Sequence, residues 1–212
     1  MTKHLCSWDN INILWAAYTL IYLLILALVI LMRVITGSCR GKFLKTLDGN
    51  DVRPTSQKVK EAVFSAIQFD IEGRRVLDLF AGSGQLGIEA LSRGAKNAVF
   101  VDNSAASIKI IKQNIESTGF EDRSRVYSTD YSSFAAMSRD VFDIVFLDPP
   151  YKKGLLLPAL KAVLPLMIDY GIIICEYPPE IEIPKEIGGF VITKTYRYGK
   201  INVSVYRKGA KD

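Results

Sequence analysis

The chain has 212 residues, 49% of them apolar and 23% charged, which is the composition of one substantial folded domain and excludes a disordered chain. Its single histidine, His4, lies near the start, which excludes a Ser-His-Asp triad, a Cys-His dyad or a His-ligated metal inside the domain. The net charge of +5 is unevenly placed: residues 33–60 and 193–212 each carry +5, and residues 61–192 carry −5. Basic ends around an acidic middle read either as a grip on a polyanion or as charges that solvate surface elements. Cys6, Cys39 and Cys175 are odd in number and far apart, so they form neither a disulfide framework nor a zinc knuckle and point to a reducing compartment.

From Asn10 to Met32 there is no charged residue. About twenty apolar residues in a helix span about 30 Å, the hydrocarbon thickness of a bilayer. Taken literally, this is a transmembrane helix, and Arg33, Arg40 and Lys42 behind it place the rest of the chain in the cytoplasm. A secretory signal fits less well, because the run is long, its leading segment is barely basic and no small-x-small cleavage site follows. The second reading is upstream sequence translated from an over-early start, with Met32 beginning the natural domain. On either reading the chain divides into a hydrophobic extension, 1–31, and a domain, 32–212.

Residues 33–47 alternate enough for a short hairpin-like opening, and Asp48-Gly49-Asn50-Asp51 is turn chemistry. Thr55 is the expected N-cap of a helix with Val59, Ala62, Val63 and Ala66 at helical spacing. Beyond Gly73, strand-like runs at 76–80, 98–102, 125–130, 142–148 and 171–177 alternate with helix-like runs at 85–93, 105–117 and 155–168. Two further extended runs, 190–198 and 201–207, meet at Gly199-Lys200. The expected fold is α/β and Rossmann-like, with a mostly parallel seven-stranded sheet, helices on both faces and a C-terminal antiparallel hairpin. The apolar N-terminal helix is expected to lie outside this domain.

In such sheets ligands sit at the carboxyl ends of the strands, beside the switch point. There the first strand runs into Asp78-Leu79-Phe80-Ala81-Gly82-Ser83-Gly84-Gln85-Leu86-Gly87. Gly82-x-Gly84-x-x-Gly87 lets backbone approach a ligand just before a helix N-terminus, and Asp102, ending the second strand, is placed to accept from ribose hydroxyls. A lone glycine pattern is weak and leaves a nicotinamide dehydrogenase open. Asp78 disfavours one, since a carboxylate in this turn opposes a pyrophosphate and suits a cationic ligand such as S-adenosylmethionine, which has a sulfonium, an ammonium and no phosphate. Asp148-Pro149-Pro150-Tyr151 ends the fourth strand. Its prolines fix the backbone and remove two N–H donors, so carbonyls point outward as acceptors. A carboxylate, fixed acceptors and an aromatic ring receive a planar base with an exocyclic amine: Tyr151 stacks, while Asp148 and the Pro149 carbonyl accept from the NH₂.

These motifs, in this order and spacing, resemble the class I S-adenosylmethionine-dependent amino-methyltransferases. More narrowly, residues 32–212 resemble the bacterial 16S rRNA guanine-N2 methyltransferases of the RsmD type, which act on guanine 966 in ribosomal numbering. The resemblance rests on MRVITGSCRGKFL, VRPTSQKVKEAVFSAI, AGSGQLGIEALSRGA, DPPYKKG and YGKINVSVYRK. Asp102 departs from the glutamate common there but keeps the carboxylate, and the extension before Met32 is outside the pattern. The resemblance implies transfer of a methyl group from S-adenosylmethionine to N2 of a guanine in 16S rRNA, within a small-subunit particle, by a cytoplasmic monomer without a metal. It implies that Asp78, Gly82 and Gly84 hold the methionine moiety, Asp102 the ribose, and Asp130 and Tyr131 the edge and face of the adenine. With Phe80 these form the cofactor set, while Asp148, Pro149, Pro150 and Tyr151 orient the guanine and Arg40, Lys42 and Arg53 grip RNA phosphates. The competing readings are a DNA adenine-N6 or other nucleic-acid amino-methyltransferase, an NAD-binding oxidoreductase, and a membrane-tethered RNA-binding protein.

Overall fold

The structure is a computed structural model that describes Trp15, Thr19 and residues 32–47 and 57–208, with Lys152 by its backbone alone. The chain divides into two units, Met1–Leu31 and Met32–Asp212. Nearly all of the expected membrane span lies outside the described residues, as do the 48–51 turn, Arg53 and the Thr55 cap. Among the described residues no helix is long and apolar enough to cross a membrane.

The second unit runs α1 (Gln57–Ala66), β1 (Arg75–Asp78), α2 (Gln85–Ser92), β2 (Asn97–Asp102), α3 (Ala105–Thr118), β3 (Ser124–Ser128), α4 (Tyr131–Met137), β4 (Phe142–Leu147), α5 (Leu156–Val163), β5 (Met167–Tyr177), β6 (Glu186–Ile187), β7 (Phe190–Tyr198) and β8 (Ile201–Lys208). The strands form one sheet in the order β3-β2-β1-β4-β5-β8-β7-β6. The pairs from β3 through β5 are parallel, and β8, β7 and β6 add antiparallel pairs at one side. The chain starts in the centre at β1, winds outward to β3, and returns to β4 on the other side of β1. That reversal is the switch point, and it brings the ends of β1 and β4 side by side. Every residue of β4 is buried, as a parallel strand covered on both faces requires, and its one charged residue, Asp143, is met by the backbone N–H and side chain of Arg75, both at 2.9 Å.

Side-chain alternation sends the strands into two cores. Val76, Phe100, Ile144, Phe146 and Ile174 meet α1, α2 and α3 on one face. On the other face, Leu77, Val101, Val145, Ile173 and Cys175 meet α4 and α5. Near-complete burial of each large apolar side chain contributes roughly 1.5–3 kcal/mol, which makes this double layer the main stabiliser of the sheet.

Three expectations need correction. The sheet has eight strands rather than seven, because Gly188 and Gly189 turn with φ of 57° and 78° and pair Glu186 with Val191 and Ile187 with Phe190. Positive φ at two successive positions is the hairpin geometry that a Gly-Gly pair selects. The helix expected over 155–168 stops at Val163, where a 3₁₀ turn at Leu164–Leu166 carries a proline, and β5 begins at Met167. Pro165 has no N–H to continue the helical ladder. The strand expected to reach residue 130 ends at Ser128, and Asp130 instead caps α4, which the sequence reading did not include.

The opening segment forms an arm closed by a single antiparallel bridge, Arg33 with Phe43, with Leu44 N donating to Met32 O at 2.7 Å. The arm is tied to α2 through Glu89, which accepts from Ile35 N at 2.7 Å and Thr36 N at 3.0 Å. Lys60 on α1 donates to Arg33 O at 2.7 Å and lies 3.4 Å from Glu89, with both side chains fully buried. At the far end, the carboxamide of Asn114 on α3 bonds the backbone of Lys45 in both directions, at 2.8 and 2.9 Å.

Candidate active site

The end of β1 turns through residues 79–84 into α2. Gly84 has φ 78° and caps the helix, and Gly84 N donates to Ala81 O at 2.6 Å. Gly82 has φ 56°, and a Cβ there would meet nothing within 4 Å, so this part of the turn faces open space. Gly87 answers a different demand: a Cβ would fall 2.3 Å from the Phe100 ring, so only glycine lets α2 lie this close to β2.

Two carboxylates hold this turn. Asp78 is buried and accepts from Gly87 N at 3.0 Å. Burial pushes its carboxyl up to about 7, against the pull of the Gly87 N–H, and the nearby charges of Asp148 and Asp102 push the same way. Asp102 accepts from Gly82 N and from Ser104 N, both at 2.8 Å, so it ties the glycine turn to the start of α3. Asn114 donates to Ser83 O at 2.8 Å and joins the same turn to the arm. An open glycine backbone flanked by carboxylates with spare lone pairs fits a cationic, hydroxyl-bearing ligand and disfavours a phosphate.

Asp130 is occupied as a cap. It accepts from the backbone N–H groups of Ser132 and Ser133, both at 2.9 Å, and from their hydroxyls at 2.5 and 2.6 Å. The Ser132 hydroxyl foremost, then the Ser133 hydroxyl and N–H, hold its carboxyl far below the usual range. The Tyr131 ring lies 5.6 Å from that of Phe80, so these two expected cofactor residues adjoin.

Asp148 follows β4 directly. The register sets Asp78 opposite Phe146, which places residue 148 and the glycine turn on the same edge of the sheet. Pro149 is buried, Pro150 exposed and Tyr151 half-buried in a short 3₁₀ turn, Tyr151–Lys153. A recess there is lined by Pro149, Pro150, Tyr151, Leu155, Glu176 and Tyr177. The Tyr151 hydroxyl donates to Glu176 Oε1 at 2.8 Å, and Glu176 is itself buried. The sequence reading missed Glu176. Its signal was a carboxylate inside an otherwise apolar strand, Ile172-Ile173-Ile174-Cys175-Glu176-Tyr177.

Arg40 and Lys42 are exposed on the arm and form no ion pair among the described residues, whereas Arg53 lies outside them. Cys175 is fully buried and its thiol is pushed far up by desolvation, which makes it an inert core residue. Among the described residues no group of three or more His, Cys, Asp and Glu is arranged to hold a metal ion.

Comparison with known proteins places this geometry. The family described as conserved hypothetical protein 95 matches residues 32–207. The chain is 42% identical over 186 residues to YlbH of Bacillus subtilis, named for rRNA methylation, covering 84% of this chain and 99% of that one. It is 38% identical over 125 residues to ribosomal RNA small subunit methyltransferase D of Escherichia coli, covering 59% of this chain and 63% of that one. The solved structure of the E. coli protein yhhF, named for methyltransfer, superimposes with a TM-score of 0.76 at 31% identity, over 85% of this chain and 99% of that one.

Proposed function

This chain belongs to the conserved hypothetical protein 95 family, and from that membership and its site we propose that it transfers a methyl group from S-adenosylmethionine to the exocyclic N2 of a guanine in 16S rRNA. The observation that carries this reading is the shared edge of β1 and β4, where the glycine turn and Asp148-Pro149-Pro150-Tyr151 stand side by side. One half of that edge suits a cationic nucleoside and the other an aromatic amine.

When bound, S-adenosylmethionine supplies an electrophilic methyl on a sulfonium. The backbone of Gly82 and Gly84 with the Asp78 carboxylate would hold its amino-acid end, Asp102 its ribose hydroxyls, and Asp130, Phe80 and Tyr131 its adenine. Asp148 and the Pro149 carbonyl accept from the guanine amine and hold it in line with the methyl. A guanine amine is a weak nucleophile because its lone pair is delocalised into the ring. Two acceptors that fix its hydrogens favour the geometry in which that pair points at the methyl carbon, and positioning supplies most of the acceleration. The N–C bond would form as the methyl–sulfur bond breaks, its electron pair going to sulfur to leave neutral S-adenosylhomocysteine, and the Asp148 carboxylate would take the proton that the cationic amine sheds. Tyr151, set by Glu176, stacks on the base. The base must leave its stack to reach Asp148 and Tyr151, and Arg40, Lys42 and Arg53 hold the surrounding phosphates. The substrate is a small-subunit particle in the cytoplasm, met by a monomer.

The test uses the full chain, labelled S-adenosylmethionine, and small-subunit particles from cells lacking this protein, followed by mass analysis of nucleosides. N2-methylguanosine at one rRNA position is the expected result. Label in DNA as N6-methyladenine, with none in RNA, would replace the reading with a DNA amino-methyltransferase.

A further inference from the structure

The β7–β8 hairpin carries chemistry that the active site leaves unused. Residues 190–208 contain Lys194, Arg197, Lys200, Arg207 and Lys208 and no acidic residue. Arg207 and Lys208 are engaged by Asp70 and Asp169, at 2.6 and 3.5 Å. Lys194, Arg197 and Lys200 have no ion pair among the described residues. The rings of Tyr196 and Tyr198 stack, with centroids 6.4 Å apart and planes 19° from parallel, and Lys194 Nζ lies 4.9 Å from the Tyr196 centroid. Both rings are half-buried: they pack against the core below and keep part of their surface in solvent.

The register joins this strip to the active site. Glu176 pairs with Val203 and Val203 with Tyr196, so the three side chains form one row on one face of the sheet. Glu176 is the residue that holds the Tyr151 hydroxyl. Two strand spacings, about 10 Å, separate it from Tyr196. Because β8 runs antiparallel to β5, the Gly199-Lys200 turn falls at the carboxyl edge, level with the recess. Among the described residues, the outer edge of β7 beyond Val191 has no strand partner.

We propose that the single-stranded RNA next to the target guanine lies along this hairpin, with its bases on Tyr196 and Tyr198 and its phosphates on Lys194 and Lys200. The proposal rests on the RNA-methylating reading above and adds a surface to it. Unstacking the guanine also exposes the faces of its neighbours, and a pair of fixed, parallel rings replaces the lost stacking without reading the base. Lys194 and Lys200, with no ion pair among the described residues, and the absence of any acidic residue from 190–208 make the strip complementary to a phosphate backbone rather than to a basic peptide.

The experiment compares the full chain with Tyr196→Ala, Tyr198→Ala, their Phe counterparts and Lys194→Gln. Its probe is an RNA oligonucleotide with the target guanine flanked by 2-aminopurine. Each alanine is expected to raise KM for RNA about tenfold with kcat and S-adenosylmethionine affinity unchanged, and to remove the fluorescence quenching seen on binding. The Phe variants should behave as wild type. Lys194→Gln, an exposed change that tests the surface even if an alanine variant misfolds, should weaken RNA binding and lower its salt slope by about one. Alanine variants with wild-type KM and quenching overturn the proposal. So do Phe variants as impaired as the alanines, and so does quenching seen only with duplex RNA. If the wild type binds and quenches the probe but small-subunit particles gain no N2-methylguanosine, the assigned reaction falls while the surface stands.

Discussion

Replacing Glu89 with alanine tests whether the arm is held by one buried carboxylate. Glu89 is fully buried and meets four groups: Ile35 N at 2.7 Å, Thr36 N at 3.0 Å, Lys60 Nζ at 3.4 Å and Arg93 Nε at 2.8 Å. Burial lowers the pKa of Lys60, and the attraction and hydrogen bond of Glu89 oppose that shift. Without Glu89, a buried amine loses its counter-charge and two arm N–H groups lose their acceptor. Removing one partner of a buried ion pair costs about 3–5 kcal/mol, and each buried N–H left unpaired costs about 1–3 kcal/mol more if nothing relaxes. Lys60 can shed its proton and the arm can lift into water, so a net loss of about 3 kcal/mol is expected. Urea unfolding measures it, and limited trypsin digestion at Arg40 and Lys42 reports whether the arm has come free. Glu89→Gln, which keeps one acceptor, should lose less. A Glu89→Ala protein within 1 kcal/mol of wild type, with unchanged cleavage in the arm, refutes the reasoning.

Asp78 predicts a pH dependence of unusual sign. Its carboxyl rises from 3.8 to about 7 on folding, so the folded state holds the proton more tightly. Its contribution to stability is therefore complete below 3.8, falls as the pH rises to about 7, and is level above that. Asp78→Asn, which keeps the acceptor for Gly87 N, should remove about 3 kcal/mol of the decline between pH 5 and 8; parallel curves for the two proteins in urea unfolding count against it. Asp148→Ala should lower kcat by at least 100-fold and leave S-adenosylmethionine affinity within threefold, measured by single-turnover methylation and calorimetry. Normal turnover in that variant removes Asp148 from catalysis. Gly84→Val places a β-branched side chain at φ 78° on the cap of α2 and should abolish cofactor binding in calorimetry, and retained affinity would mean that this turn does not hold the cofactor.

The sequence alone determined what local rules govern. Except for α4, the alternation of strand and helix from β1 to β5 was legible because apolar periodicity and glycine turns act over a few residues. The two peptides of the candidate site were legible because each is one short run at a strand end, Gly82 to Gly87 and Asp148 to Tyr151. Only the tertiary structure decided what depends on distant partners. Asp130 reads as a ligand in the sequence, and the structure adds a role that the sequence reading lacked, the cap of α4, through four donors from Ser132 and Ser133. Glu176 and Glu89 sit in apolar runs, and Arg93, one turn after Glu89, is a partner near in the chain. Their distant partners are 25 residues away at Tyr151 and 54 away at Ile35. A buried carboxylate is stable only when donors meet it, and in this fold those donors come from separate elements that the winding of the sheet brings together.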